Sequence, residues 1–107
     1  MKAYAVGYLR AVRLGPDIAA YLERIDATLA PFDGHYLIHG GAKTVLEGQW
    51  PGDLIVIAFP DRASALGWYE SAAYRDILRL RGDNAESDVI IIDGVPEGHK
   101  ATDVLKG

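Results

Sequence analysis

"DLIVIAFP", residues 53–60, is an unbroken apolar run between an aspartate and a proline. Eight residues are too few for a core helix, and the branched side chains favour extended backbone, so the run reads as a strand. A strand with no polar alternation expects cover on both faces. "DVIIIDG" (88–94) has the same character and reads as a second such strand. Upstream, "KAYAVGYLRAV" (2–12) reads as a strand with two unlike faces: Tyr4, Val6, Tyr8 and Arg10 on one, Ala3, Ala5, Gly7 and Leu9 on the other. "HYLIHG" (35–40) supplies a short fourth.

Between these strands the period changes. Ile18, Tyr21, Leu22, Ile25 and Leu29 follow helical spacing after Pro16, and Pro31 with Gly34 ends that helix. Asp61 is placed to cap "RASALGWYES", and Ser71 to cap "AAYRDILRLR", which carries Tyr74, Ile77, Leu78 and Arg81 on one stripe. The order is β-α-β-β-α-β, the split arrangement of ferredoxin-like α+β domains, with helices on one face of an antiparallel sheet. The doubly apolar strands then require something on the open face. In a chain of 107 residues that cover is expected to be a second copy, closing a dimeric α/β barrel. One domain over residues 1–94 and a C-terminal arm over 95–107 are expected.

Composition narrows the function. The net charge of −4 argues against nucleic acid as a partner, and the absence of cysteine removes disulfide and thiolate chemistry. No apolar run approaches the ~20 residues of a membrane span, and "MKAYAVGYLRAVRLG" lacks the apolar core of a signal peptide. A cytoplasmic protein without membrane contact is expected.

"GGAKTVLEGQW" (40–50) admits three readings: a phosphate loop, a plain bend, or the rim of a site. Phosphate loops lead into a helix, whereas Gly40 and Gly41 lead into an alternating segment ending at Trp50-Pro51. That reads as an edge strand after a glycine bend, which would carry Glu47 and Trp50 to the sheet end. His35 and His39 fall on one face of a regular strand, but about 13 Å apart at roughly 3.3 Å per residue, too far for one ion. No metal or other cofactor is therefore expected, even with Glu47 nearby. Arg81 on an inward stripe needs a carboxylate, with Glu47 as the expected partner. A structural ion pair and an anion-binding arginine both remain open.

The stretches "YLIHGG", "VLEGQW", "IAFPDRASALGWYESAAY" and "LRLR" resemble the small proteins of domain-of-unknown-function family 1330. The resemblance spans residues 2 to 94 and implies the dimeric α/β-barrel form of the ferredoxin-like fold. The family pattern falls on Gly40, Gly41, Leu46, Glu47, Gly48, Trp50, Phe59, Pro60, Trp68, Tyr69, Ser71, Tyr74 and Arg81. His39 stands where members often carry arginine, and Ala72-Ala73 stands where they often carry Pro-Glu. The family function is unassigned, and related barrels include monooxygenases, isomerases and haem-handling proteins, a likeness of fold only. The expected site therefore joins His39 and Glu47 as proton-transfer groups to Trp50, Tyr69, Tyr74 and Arg81 as ligand-binding groups. It would bind or convert a small anionic or carbonyl-bearing metabolite. The competing expectation is a non-catalytic dimer whose polar cluster only stabilises the fold.

Overall fold

The computed structural model describes residues 1–106. Its order is β1 (Ala3–Arg10), α1 (Pro16–Leu29), a 3-10 turn (Ala30–Phe32), β2 (His35–His39), β3 (Asp53–Phe59), α2 (Arg62–Glu70), α3 (Ala72–Gly82) and β4 (Glu86–Asp93). The four strands form one antiparallel sheet in the order β2-β3-β1-β4, the ferredoxin-like α+β arrangement. A second 3-10 turn, Ala101–Lys106, follows.

Local chemistry sets the boundaries. β1 stops short of residue 12 because Ala11 takes a left-handed φ of 49°. β4 begins two residues earlier than expected, where Glu86 and Asp88 flank Arg10 of β1 at 3.9 and 2.9 Å. The carboxylate of Asp61 accepts the Ser64 amide proton at 2.7 Å and starts α2. Ser71, in extended conformation, breaks the helical path and caps α3 by accepting from the Tyr74 amide.

All helices lie on one side of the sheet. Ala3 and Ala5 of β1 with Ile57 and Phe59 of β3 meet Tyr21, Ile25 and Leu29 of α1, Trp68 of α2, and Tyr74 and Ile77 of α3. Trp68 is secured through its indole N–H, which donates to the Thr28 hydroxyl at 3.0 Å. That hydroxyl in turn donates to the Ile25 carbonyl at 2.6 Å. The other side of the sheet carries Val6, Tyr8, Leu54, Val56, Ile90 and Ile92, by the same register. Ile90 and Ile92 are 53% and 48% exposed, so this apolar face is open in the single chain.

Two sequence expectations change. Residues 40–52 form an irregular loop rather than an edge strand, with Gly40, Gly41 and Gly48 at φ near 70–76°. No side-chain alternation operates there, so the segment does not deliver Glu47 along a sheet edge. The strand irregularity lies earlier, at Leu37: Tyr36 pairs with Ile57, yet Ile38 pairs with the adjacent Val56. This bulge shifts the alternation by one. His35 opposes Ala58 on the open face, whereas His39 opposes Ile55 on the helix face. The two histidines are on opposite sides of the sheet.

Candidate functional site

The small face of β1 leaves space beneath the helices. Ala5 and Gly7 cannot fill the gap between the sheet and α1, and a cavity of about 260 Å³ lies there. Its walls are chiefly apolar: Ile18, Leu22 and Ile25 from α1, and Ile55 and Ile57 from β3. The volume is slightly below the usual range for small-molecule pockets, and the predominance of apolar lining is typical of them.

Three polar side chains line this cavity from the helices: Tyr21 of α1, and Tyr74 and Arg81 of α3. Arg81 follows Tyr74 by seven residues, two helical turns, so both point the same way. The hydroxyls of Tyr21 and Tyr74 share a hydrogen bond of 2.8 Å. The Arg81 guanidinium carbon lies 5.9 Å from the centre of the Tyr21 ring. Burial pushes the Tyr21 phenol far above its ordinary range, with Tyr74 adding to the effect and Arg81 opposing it. For Arg81, burial acts to lower the pKa, whereas the charge that Tyr74 and Tyr21 carry once ionised acts to raise it, so the net upward direction belongs to strongly alkaline conditions and supplies no counter-charge near neutral pH. The guanidinium is charged at neutral pH.

Arg81 is only 8% exposed, and it forms no ion pair among the described residues. No carboxylate contributes to its titration either. The expected pairing with Glu47 is therefore absent. Glu47 sits exposed in the 40–52 loop and is not part of the cavity wall. A buried cation facing an apolar cavity with only phenols for company is an unbalanced charge.

The open edge of the cavity is marked by exposed lining residues, among them His39 and Asp53. The Leu37 bulge brings His39 onto this side, where its ring stacks on Tyr36 with centroids 4.5 Å apart and planes 15° apart. Tyr36 also lines the cavity, and burial pushes its phenol up to about 12. Asp53 is paired with Lys43 at 3.3 Å.

The remaining expected residues are dispersed. Tyr69 stands behind the wall, 5.6 Å from the Tyr74 ring and 6.2 Å from Trp68. Trp50 lies on the far side of the sheet, edge-on to Tyr8 at 5.2 Å. Gly52 fixes that approach: its amide donates to the Tyr8 hydroxyl at 2.9 Å, and a Cβ there would sit 2.6 Å from the Leu9 carbonyl oxygen. Sequence reasoning assigned Tyr21 to the core stripe of α1 and did not single out Tyr36. Only the packing of α1 on α3 makes Tyr21 a partner of Tyr74. His35 pairs with Asp33 at 2.7 Å, and no three His, Cys, Asp or Glu among the described residues could hold a metal ion. No helix among them is long and apolar enough to cross a membrane.

No curated protein matches the chain. Among solved structures, a protein of unknown function from Rhodopseudomonas palustris, RPA0582, is 17% identical with a TM-score of 0.64, covering 89% of this chain and 83% of its own. SnoaB from Streptomyces nogalater, described as a cofactor-independent oxygenase, is 11% identical with a TM-score of 0.58, covering 92% and 98%. A dimeric ferredoxin-like protein of unknown function from Jannaschia sp. CCS1 is 8% identical with a TM-score of 0.60, covering 88% and 100%. These likenesses show the fold. The family model described as "Domain of unknown function (DUF1330)" matches residues 2–95, nearly the whole chain, and to that family the chain belongs.

Proposed function

We propose that the protein is a homodimer that binds, without a metal, a small anionic or carbonyl-bearing metabolite in the cavity between sheet and helices. The observation that carries this reading is Arg81, buried and facing the cavity with no carboxylate beside it. An uncompensated buried cation is costly, and a ligand bearing negative charge or a polarised oxygen offsets that cost. Tyr21 and Tyr74 orient the ligand. His39, exposed at the cavity edge, is the group suited to exchange a proton with a bound molecule. SnoaB shares the fold, so this architecture is compatible with catalysis that uses no cofactor. Glu47 and Trp50 have no part in this reading, because neither lines the cavity.

The homodimer rests on the open apolar face of β1, β3 and β4, and on the Jannaschia neighbour described as dimeric. Residues 95–106 fit the same picture as an arm: Val95, Val104 and Leu105 are all exposed in the single chain.

The test is thermal denaturation of wild type and Arg81→Met against a metabolite mixture. A ligand that binds only the folded state raises its melting temperature. A rise in wild type that is lost in Arg81→Met supports the reading. No rise in either assigns the Tyr21–Tyr74–Arg81 cluster to the fold alone.

A further inference from the structure

Resting on that reading, we propose that the cavity is selective for amphipathic monocarboxylates, with the carboxylate at Arg81 and an apolar body of roughly six to nine carbons along α1 and β3. Charge comes first. Among the described residues Arg81 is the sole lysine or arginine lining the cavity, and the acidic lining residue, Asp53, stands at the edge. One negative charge on the ligand balances Arg81. A second would either be buried without a partner or lie at the open edge beside the Asp53 carboxylate.

The donor inventory agrees. A guanidinium presents parallel N–H groups matched to the two oxygens of a carboxylate. Tyr21 and Tyr74 have two phenolic protons between them, and their mutual hydrogen bond uses one. The other is free to donate to a ligand oxygen. Donors thus converge on one planar anion against a lining that is otherwise chiefly apolar.

Size sets the rest. A volume of about 260 Å³, just under the ~300 Å³ at which small-molecule pockets begin, suits a ligand on the order of ten heavy atoms. Ile18, Leu22 and Ile25 face Ile55 and Ile57 across it, so the body opposite the carboxylate must be apolar.

The experiment is isothermal titration calorimetry of the intact protein with four probes: 3-phenylpropanoate, 3-phenylpropanamide, suberate and inorganic phosphate. The acid is expected to bind at least tenfold more tightly than its amide, with no measurable binding of suberate or phosphate. In Arg81→Met the acid should lose its advantage over the amide. Arg81→Lys, which keeps the charge and loses the fork, should retain only part of it. Ala5→Val, which adds bulk to the cavity floor, should weaken 3-phenylpropanoate while circular dichroism remains that of the wild type. Equal binding of acid and amide, or binding of suberate or phosphate as tight as the acid, overturns the monocarboxylate assignment while the cavity remains a ligand site. Silence from all four probes, with stabilisation by the metabolite mixture, also overturns it. Silence from both overturns the ligand-binding reading as well.

Discussion

Replacing Arg81 with methionine should leave the unliganded protein as stable as wild type or more so. Most substitutions of a residue only 8% exposed would do the reverse. The guanidinium is held away from bulk water without a carboxylate, and burying an unpaired ion costs several kcal/mol, reduced here by whatever water occupies the cavity. Against this stand the attraction to the Tyr21 ring at 5.9 Å, worth about 0.5–2 kcal/mol, and contact with the two phenol oxygens, worth a similar amount. Methionine keeps most of the apolar stem packing and removes both sides of that balance. The net change falls between zero and about 2 kcal/mol of stabilisation. At about 4–8 °C per kcal/mol for a domain near this size, the melting temperature should stay level or rise by up to roughly 16 °C.

The same substitution distinguishes the alternative. Were Arg81 half of a buried ion pair, its loss would strand a carboxylate and cost about 3–5 kcal/mol. Calorimetric melting of both proteins, checked by urea denaturation with equal m-values, separates a level or raised midpoint from a steep fall. A fall of more than about 4 °C would refute the view of Arg81 as an unbalanced charge kept for a ligand.

Thr28→Val keeps the shape of the side chain but leaves the Trp68 indole N–H without its acceptor; it should cost about 1–3 kcal/mol, and a change within 0.5 kcal/mol in chemical denaturation would show that the bond is dispensable. Because the fold keeps Tyr21 and Tyr36 neutral beyond the pH near 10 at which unfolded tyrosines ionise, their contribution is fully present below pH 10 and is lost as pH rises toward 12. Ultraviolet titration should show phenols that ionise only with unfolding, and a stability curve already falling between pH 8 and 9 would contradict this. Ile90→Lys, on the open face opposite Val6, should give the 11.6 kDa chain mass by light scattering where wild type gives twice that, and a monomeric wild type at micromolar concentration would end the barrel proposal.

Much of this architecture was legible because it follows from local rules. The apolar runs at 53–60 and 88–94, the caps Asp61 and Ser71, and the Tyr74–Arg81 stripe each depend on neighbours within a few residues. The site was legible only in part, because it is assembled across the chain. Tyr21 gains its role from Tyr74, 53 residues away. His39 reaches the cavity side through the bulge at Leu37, in a strand whose apolar pattern does not betray an extra residue. The Glu47 expectation failed for a related reason: alternating side chains in 42–50 imply faces only if the segment pairs, and it does not.

β1 links the two proposals most directly, since its alternation sends opposite kinds of residue to opposite sides of one sheet. Ala5 and Gly7 face the helices, and a floor of large side chains there would close the space that α1 and α3 leave. Val6 and Tyr8 face the other way, where they join Val56 and Ile90 in a surface that one chain leaves uncovered. Neighbouring positions on a single strand therefore separate ligand binding from assembly. Ala5→Val should alter binding without changing mass in solution. Ile90→Lys, across the strand pair from Val6, should alter mass while leaving the Arg81 cluster on the far side of the sheet intact. Loss of 3-phenylpropanoate binding in a folded Ile90→Lys monomer would mean that the cavity requires the second copy.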